Sequence, residues 1–315
     1  MLDKLCNLIG VSGYESEVNQ YLYKKLEQER VDELSIDSVG NLICLKRGKE
    51  NRKKVVIVAH VDEVGFQVIK RLEKEKYLIK SLGNIKTWNA YQQRVESLKS
   101  YGVIRAYEEE KLKAYNYNNL YLEVLNGEDN IKIGEVFSFK KSFYESENYY
   151  VGKALDNRIS CFCLYQLIKL DIPTKSDIYY CFTVQEEIGM RGSRVIKSNI
   201  QPDLSITIDV SAVGEMNSIK MSLGAGLKIS DSMSISHPKC IEWAQHIAMD
   251  NSIQYQLEVS DCGTSELIIS NELDNGGYEL GISIPCRGIH SANSVVNKSD
   301  LENTQKLMEF LLMNL

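Results

Sequence analysis

The order of secondary-structure patterns along the chain limits its fold more than any other feature. Strand and helix patterns alternate over residues 1–66 and again over residues 151–315, whereas residues 67–150 hold short β-prone pieces separated by Gly, Asn and charged turns. Alternating strands and helices are typical of a sheet covered by helices, and a run of short strands is typical of a small all-β unit. The sequence therefore predicts one α/β domain interrupted by an inserted β domain.

Two helices can be placed from their first residues. The segment 12–30 has apolar residues at every fourth position and begins with Ser12 and Glu15, and the C-terminal segment begins with Ser299 and Glu302. A serine followed three residues later by glutamate is the pattern of a capping box, in which each side chain bonds the other residue's backbone N–H. We therefore predict a capping box at the start of both helices.

Composition excludes several classes of partner. The net charge is −6 and no basic patch stands out, which argues against nucleic acid. No apolar run approaches the roughly 18 residues of a membrane helix, and the N-terminus lacks the pattern of a signal peptide. The eight cysteines form no CxxC pair, which favours reduced, buried thiols. We expect a cytoplasmic protein with no membrane or nucleic-acid partner.

His60 and Asp62 stand at the end of the apolar run KKVVIVAH, which is typical of a strand buried on both faces. Residues two apart in a strand face the same side, so both side chains are predicted to point the same way. A carboxylate beside a ligand histidine can accept its other ring N–H. Taken alone, such a histidine is more often structural. In the same way Asp156, which precedes a predicted helix in GKALDNR, is more often a helix cap than a ligand.

Further acidic and imidazole side chains follow other apolar strands. Glu186 and Glu187 come after DIYYCFTV, Asp209 ends the strand ITIDV, and His290 follows LGISIP. Neighbouring residues on an extended segment point to opposite sides, so one glutamate can bind a metal while the other reaches a water. Open α/β sheets place their ligand crevice at the carboxyl ends of the strands. We therefore expect these side chains to meet at one sheet edge.

Two imidazoles and three carboxylates at one sheet edge predict a divalent-metal site. Five ligands are more than the three protein ligands of a catalytic zinc with an open position. They fit two metals about 3.5–4 Å apart that share one carboxylate. Mixed nitrogen and oxygen ligands suit zinc, cobalt or manganese.

An ordered set of short strings runs through nearly the whole chain. The strings are GVSGYE near the start, GNL at 40–42, AHVDEVGF, QRV at 93–95, GKALDNR, VQEEIGMRGS, IDV at 208–210 and IHS at 289–291. In this set the chain resembles the tetrahedral, or deblocking, aminopeptidases of metallopeptidase family 42, which also contains glutamyl aminopeptidases. The resemblance implies a mixed-sheet α/β/α catalytic domain, formed by residues 1–66 and 151–315, with a barrel-like dimerisation domain at 67–150.

The resemblance also implies a role for each candidate residue. One of two divalent ions, zinc or cobalt with manganese as a further option, would be bound by His60 and Asp209. The second ion would be bound by Glu187 and His290. Asp156 would bridge the two ions. Glu186 would act as general base and acid, and Asp62 would orient His60.

The implied activity is hydrolysis of the first peptide bond of short peptides, by dimers that assemble into a hollow dodecamer.

The inserted segment is rich in tyrosine. Tyrosine is enriched at protein interfaces and could equally fill a small core. Ten tyrosines lie in the inserted segment, at positions 77, 91, 101, 107, 115, 117, 121, 144, 149 and 150.

One stretch departs from the family pattern. The family has Gly-Gly-Thr-Asp-Ala late in the catalytic domain, and here Ser265 takes the position of the aspartate. Two alternatives therefore stay open: a metal hydrolase for another substrate class, such as the relatives labelled endoglucanases or a deacylase, and an inactive scaffold. A glycosidase needs two free carboxylates, and a scaffold is expected to have lost a ligand.

Overall fold

The helices and strands lie close to the positions that their patterns predict. The computed structural model describes residues 1–50, 53–114, 116–125, 131–214, 218–261, 263–267 and 277–315. The helices are α1 (Leu2–Asn7), α2 (Ser16–Leu26), α3 (Thr87–Ala90), α4 (Leu155–Leu170), α5 (Arg191–Ile200), α6 (Pro238–Asp250) and α7 (Lys298–Met313). The strands are β1 (Glu33–Ile36), β2 (Leu42–Lys46), β3 (Lys54–His60), β4 (Gly65–Glu73), β5 (Lys76–Leu82), β6 (Arg94–Glu96), β7 (Tyr101–Ala106), β8 (Leu120–Val124), β9 (Val136–Phe139), β10 (Tyr144–Glu145), β11 (Tyr149–Gly152), β12 (Asp177–Thr183), β13 (Leu204–Ala212), β14 (Ala225–Ser230), β15 (Tyr255–Val259), β16 (Tyr278–Arg287) and β17 (Ser294–Asn297).

A large mixed sheet forms the centre of the molecule. In the described part of the chain it has eleven strands, nine of them in the order β1-β2-β12-β3-β13-β16-β17-β11-β10, with β14 and then β15 branching from β16. Strands β12, β3, β13 and β16 run parallel to one another. On β3, Val55 and Ile57 pack into the core that contains α4 and α7, and Val56 and Val58 pack against α5. Both faces are thus covered, which confirms the α/β/α prediction.

A second, separate sheet closes on itself. Its strands form a barrel in the order β4-β5-β8-β7-β6-β9, filled by its own apolar core. Phe66 and Phe139 meet edge to face in that core, with 5.4 Å between their ring centroids. The barrel confirms the predicted all-β unit, whereas β10 and β11 join the large sheet. The division into domains at residues 67 and 151 stays a prediction.

Neither predicted capping box forms. The Ser12 hydroxyl donates to the Asp62 carboxylate, and Glu15 accepts from the backbone N–H groups of Gly13 and Gln185, so neither side chain caps α2. Helix α7 is capped two residues earlier by Asn297, whose side chain accepts from the Ser299 N–H. The two errors differ in cause: Ser12 and Glu15 bond to groups distant in sequence, whereas Ser299 donates to the nearby Asn297, which takes the cap position.

The tyrosines of the inserted segment divide between the two predicted roles. Tyr77 is 2% exposed in the barrel core, whereas Tyr101, Tyr107 and Tyr144 are more than half exposed. Tyr115 lies outside the described residues. A small core and an exposed aromatic surface are therefore both present.

The described cysteines are buried free thiols. They are Cys6, Cys44, Cys161, Cys163, Cys181, Cys240 and Cys286, and Cys262 lies outside the described residues. Among the helices of the described ranges, none combines the length and the apolar character that crossing a membrane requires.

Candidate metal centre

The candidate site lies where the parallel strands end. His60 is the last residue of β3 and pairs with Thr183, the last residue of β12. The sequence predicted Asp209 at the end of its strand. It lies within β13 instead, because β13 continues to Ala212 in register with β16. The side chains nevertheless meet at one sheet edge because β13 extends past the end of β3.

Two loops bring in the remaining residues. Asp156 is the second residue of α4 and has a non-helical backbone (φ −77°, ψ 102°), and its carboxylate faces the two histidines. His290 lies between β16 and β17. Its Nδ1 is 2.9 Å from the carbonyl oxygen of Asn84, which belongs to the loop after β5 of the barrel. One candidate ligand is thus held by the inserted segment.

Asp156 faces both histidines with different oxygens. Its Oδ1 is 3.2 Å from His60 Nε2, and its Oδ2 is 3.2 Å from His290 Nε2. Asp209 Oδ1 lies 3.6 Å from His60 Nε2, and Glu187 Oε2 lies 3.1 Å from His290 Nε2. The side chains therefore form two groups, His60–Asp156–Asp209 and Asp156–Glu187–His290, that share one carboxylate.

Both imidazoles present the same nitrogen to the centre. Nδ1 of His290 faces the Asn84 carbonyl, and Nδ1 of His60 is 3.3 Å from the Asp62 carbonyl oxygen and 3.5 Å from the Asp62 carboxylate. Because a carbonyl only accepts, each Nδ1 is the nitrogen that keeps its proton when the ring is neutral. In the neutral ring the lone pair of each Nε2 would then be free for a metal ion, as coordination requires.

The Asp62 carboxylate mainly holds the turn after β12. Its oxygens accept the backbone N–H groups of Glu186 and Glu187 at 2.9 and 3.1 Å, together with the Ser12 hydroxyl at 2.6 Å. These are shorter contacts than the one to the His60 ring. Asp62 therefore fixes the two glutamates relative to the end of β3.

The two adjacent glutamates reach different parts of the cluster. Glu187 belongs to the second group, and its Oε1 is buried without a hydrogen-bond partner. Glu186 belongs to neither group, and its Oε2 lies 3.8 Å from His60 Nε2. Burial raises the pKa of Glu186 well above the ordinary value of a glutamate, against the opposing charge of His60.

The cluster contains more carboxylates than its two imidazoles can neutralise. Five carboxylates (Asp62, Asp156, Glu186, Glu187 and Asp209) lie within it, each at most 11% exposed at the side chain. Burial acts to lower the pKa of His290, but the carboxylates of Glu187 and Asp156 raise it to about 12. The imidazoles thus carry the balancing protons. Divalent cations would replace those protons, because metal ligation requires neutral histidine and ionised carboxylates.

The spacing of the donor atoms fits metal ions. Two ligands held about 2.1 Å from a zinc ion at tetrahedral angles are about 3.4 Å apart. Within the two groups, the histidine nitrogens lie between 3.1 and 3.6 Å from their carboxylate oxygens. The orphaned Oε1 of Glu187 offers a further donor. The residues present therefore fit a divalent-metal centre in which both groups of donors share Asp156.

The cluster opens into a cavity of about 700 Å³. The ligand side chains line one part of it, Lys86 and Trp88 of the barrel line another, and Lys228 of β14 and Ser265 line a third. Lys228 is buried with its Nζ 3.5 Å from Glu258. The cavity is therefore built from both sheets and has room for a few amino-acid residues.

Comparison with known proteins identifies the family. Residues 40–307 match the family model described as M42 glutamyl aminopeptidase. The chain belongs to the M42 peptidase family. An M42 member is a peptide hydrolase of the metal-dependent aminopeptidase class, which confirms the resemblance seen in the sequence.

Relatives of this M42 chain match along its whole length. A protein of Acetivibrio thermocellus, named for an inferred aminopeptidase activity, is 34% identical over 323 residues, covering 98% of this chain and 96% of that protein. A solved aminopeptidase of the archaeon Desulfurococcus kamchatkensis is 26% identical with a TM-score of 0.93, covering 100% of this chain and 94% of that one. The TET1 peptidase of Pyrococcus horikoshii, described as assembling into a tetrahedron or a large octahedral shell, is 24% identical with a TM-score of 0.90, covering 100% and 98%. At 24% identity, the similarity to the Pyrococcus horikoshii protein shows a shared fold and nothing more.

Hydrogen bonds fix the M42 chain at Ser265, the position where the sequence departs from the family pattern. Ser265 is buried, and both its hydroxyl and its backbone N–H donate to Asp231, at 2.9 and 3.2 Å. Ser265 is therefore held to Asp231. Both groups of candidate ligands are present although serine takes the position of the family's aspartate.

Three residues near the site were missed by sequence reasoning. Lys228 could have been noticed, because a lysine inside the apolar run AGLKIS is costly to bury without a partner. Asn84 acts through its backbone carbonyl, which no side-chain pattern signals. Glu63 stands beside Asp62 in the string AHVDEVGF, but its partner is distant in sequence.

Proposed function

We propose that this M42 peptidase removes N-terminal residues from short peptides with the help of two divalent ions. The observation that carries the proposal is the placement of Asp156, whose two oxygens each face a different histidine at 3.2 Å. His60 and Asp209 would hold one ion, and Glu187 and His290 the other. Zinc and cobalt are the proposed ions, with manganese a further option for such mixed ligands.

Glu186 is proposed to move the proton. When bound, the two ions would polarise the scissile carbonyl and lower the pKa of an attacking water. The Glu186 carboxylate stands beside both groups without belonging to either, so it is available to take a proton from that water. It then passes the proton to the leaving amine, as a general base and acid does. Asp62 holds Glu186 in place through its backbone N–H.

We propose an assembled protein in the cytoplasm. The structural neighbour from Pyrococcus horikoshii is described as assembling into a tetrahedron or a large octahedral shell, and the barrel here exposes Tyr101 and Tyr107. A homo-oligomer, and at finer detail dimers that assemble into a dodecamer, follows by analogy. Buried free thiols fit a reducing compartment.

The test is a panel of fluorogenic aminoacyl substrates with zinc, cobalt or manganese, run beside a soluble glucan. We expect chelator-sensitive cleavage of the aminoacyl substrates and no hydrolysis of the glucan, because the candidate carboxylates serve the metals rather than a sugar bond. Glucan hydrolysis that survives the chelator would support the endoglucanase alternative.

A matched pair of peptides tests selectivity for the chain end. A free peptide and its N-acetylated form differ only in the α-amine, which we expect to bind near the metals and carboxylates. The free peptide should be cleaved and the acetylated one should resist. Equal rates for the two would contradict the aminopeptidase proposal and point to an endopeptidase or a deacylase.

A further inference from the structure

A buried ion pair lies at the junction between the large sheet and the barrel. The chain leaves the sheet after His60 and enters the barrel at Gly65, and it returns through β11 shortly before Asp156. Glu63 stands on the outgoing segment and Lys153 on the returning one. Lys153 Nζ lies 2.8 and 2.7 Å from the two Glu63 oxygens, and the side chains are 0% and 2% exposed.

We propose that the Glu63–Lys153 pair positions the metal ligands. This inference rests on the proposed function. Each partner is three residues from a candidate ligand, Glu63 from His60 and Lys153 from Asp156. His60 and Asp156 belong to different segments, and their donor atoms must stay 3.2 Å apart to share an ion. The pair joins those two segments directly.

Further hydrogen bonds fix the pair on several sides. The hydroxyl of Ser138 on β9 donates to Glu63 at 2.9 Å, which ties the pair to the barrel. The Gly10 N–H donates to Glu63 at 3.1 Å, and Lys153 donates to the Leu8 carbonyl at 3.1 Å, which ties it to the N-terminal segment. The carboxylate oxygens of Glu63 and the ammonium group of Lys153 have nearly all of their hydrogen-bonding positions occupied, so the pair is held in one geometry.

Arg158 extends the same arrangement into α4. Its Nε donates to the Val61 carbonyl at 2.6 Å, and its guanidinium lies 3.8 Å from Glu63. The backbone on either side of the candidate ligands is therefore held by buried charges, at Val61 after His60 and at Lys153 before Asp156.

A role in positioning differs from a role in stability. Replacing a buried ion pair by neutral groups of similar size is often neutral for stability, because the desolvation of both charges is removed with their attraction. Its geometric role has no such compensation, because a neutral pair does not hold one fixed spacing. Arg158 loses the Glu63 carboxylate in such a variant but keeps its hydrogen bonds to the Val61 and Leu5 carbonyls, so we expect some loss of stability and a larger effect at the metals.

The test compares a double variant with a matched control. Glu63→Gln with Lys153→Met removes both charges and keeps the approximate size. Lys46→Met with Asp171→Asn does the same to another ion pair, whose Nζ and Oδ1 are 2.6 Å apart. Lys46 pairs with Ile178 near the start of β12, away from the edge that carries His60. Each protein is measured for its circular dichroism, its cobalt affinity by chelator competition, and the absorption spectrum of the cobalt-loaded form.

We expect the junction variant to fold, to bind cobalt about 10- to 100-fold more weakly and to show a changed cobalt spectrum, in the range usual for residues that support ligands. The control should keep the affinity and spectrum of the wild type. An unchanged affinity and spectrum in the folded junction variant would overturn the inference.

Two further outcomes keep the test decisive. If the double variant does not fold, Glu63→Asp keeps the charge and shortens the side chain, and it should weaken cobalt binding; wild-type affinity in Glu63→Asp would overturn the inference. A wild-type protein that binds no cobalt would refute the proposed function itself, and this inference with it. Failure of the two ideas can therefore be told apart.

Discussion

Glu186 and Glu187 are neighbours in the chain with different surroundings. Asp62 accepts a hydrogen bond from the backbone of each, so the turn is fixed while the side chains diverge. Glu187 approaches His290 at 3.1 Å, whereas Glu186 stays outside both groups of candidate ligands. This divergence separates a proposed ligand from a proposed proton carrier.

The variant Glu186→Gln tests that separation. Glutamine keeps the shape but cannot accept the proton, so we expect kcat to fall roughly 10²- to 10⁴-fold while the metals remain bound. Steady-state kinetics beside elemental analysis provide the measurement. The neighbouring variant Glu187→Gln is the control and should lose metal instead. Turnover at the wild-type rate in Glu186→Gln would rule out the proposed role.

Sequence reasoning works best for residues whose side chains do the chemistry. His60, Glu187, Asp209 and His290 could be selected because imidazoles and carboxylates at the ends of apolar strands are uncommon, whereas Asp156 was singled out by the resemblance to the family. The same reasoning fails where a residue acts through its backbone or a distant partner. Asn84 acts through a carbonyl, and Ser12 bonds to Asp62 rather than to its own helix.

At the scale of elements, apolar runs placed the parallel strands well. Strand β3 was predictable because both of its faces are buried, which demands a continuous apolar run. The end of β13 was not predictable, because its last residues are held by pairing with β16 rather than by their own pattern. The start of α2 was wrong for the same reason, because tertiary partners bond Ser12 and Glu15, whereas α7 begins at a different local cap, Asn297.

The barrel contributes to the site as well as to the surface. It supplies the Asn84 carbonyl for His290, and Lys86 and Trp88 for the cavity wall. Its composition predicted a β unit without catalytic clusters, and this is compatible with a supporting role. The contribution could not be foreseen, because it depends on how the barrel packs against the sheet.

At the scale of the whole molecule, assembly is the main prediction. Exposed tyrosines on the barrel, with the tetrahedral or octahedral assembly described for a structural neighbour, lead us to expect at least a dimer, and at finer detail a dodecamer. Light scattering of the intact protein measures this, with a variant whose barrel residues 67–139 are replaced by a short linker as the comparison, so that β10 and β11 stay in the large sheet. The variant should be smaller in assembly and should also lose activity, because His290 loses the Asn84 carbonyl. A monomeric intact protein would defeat the assembly prediction and leave the metal chemistry standing.

The metal content of Asp156→Ala tests the central claim most directly. Asp156 is the one side chain shared by both groups of candidate ligands in the described residues, so its loss should weaken both sites. Elemental analysis after dialysis should find two divalent ions per chain in the wild type and fewer, loosely held ions in the variant, with activity lost in parallel. Two tightly held ions in Asp156→Ala would contradict the account.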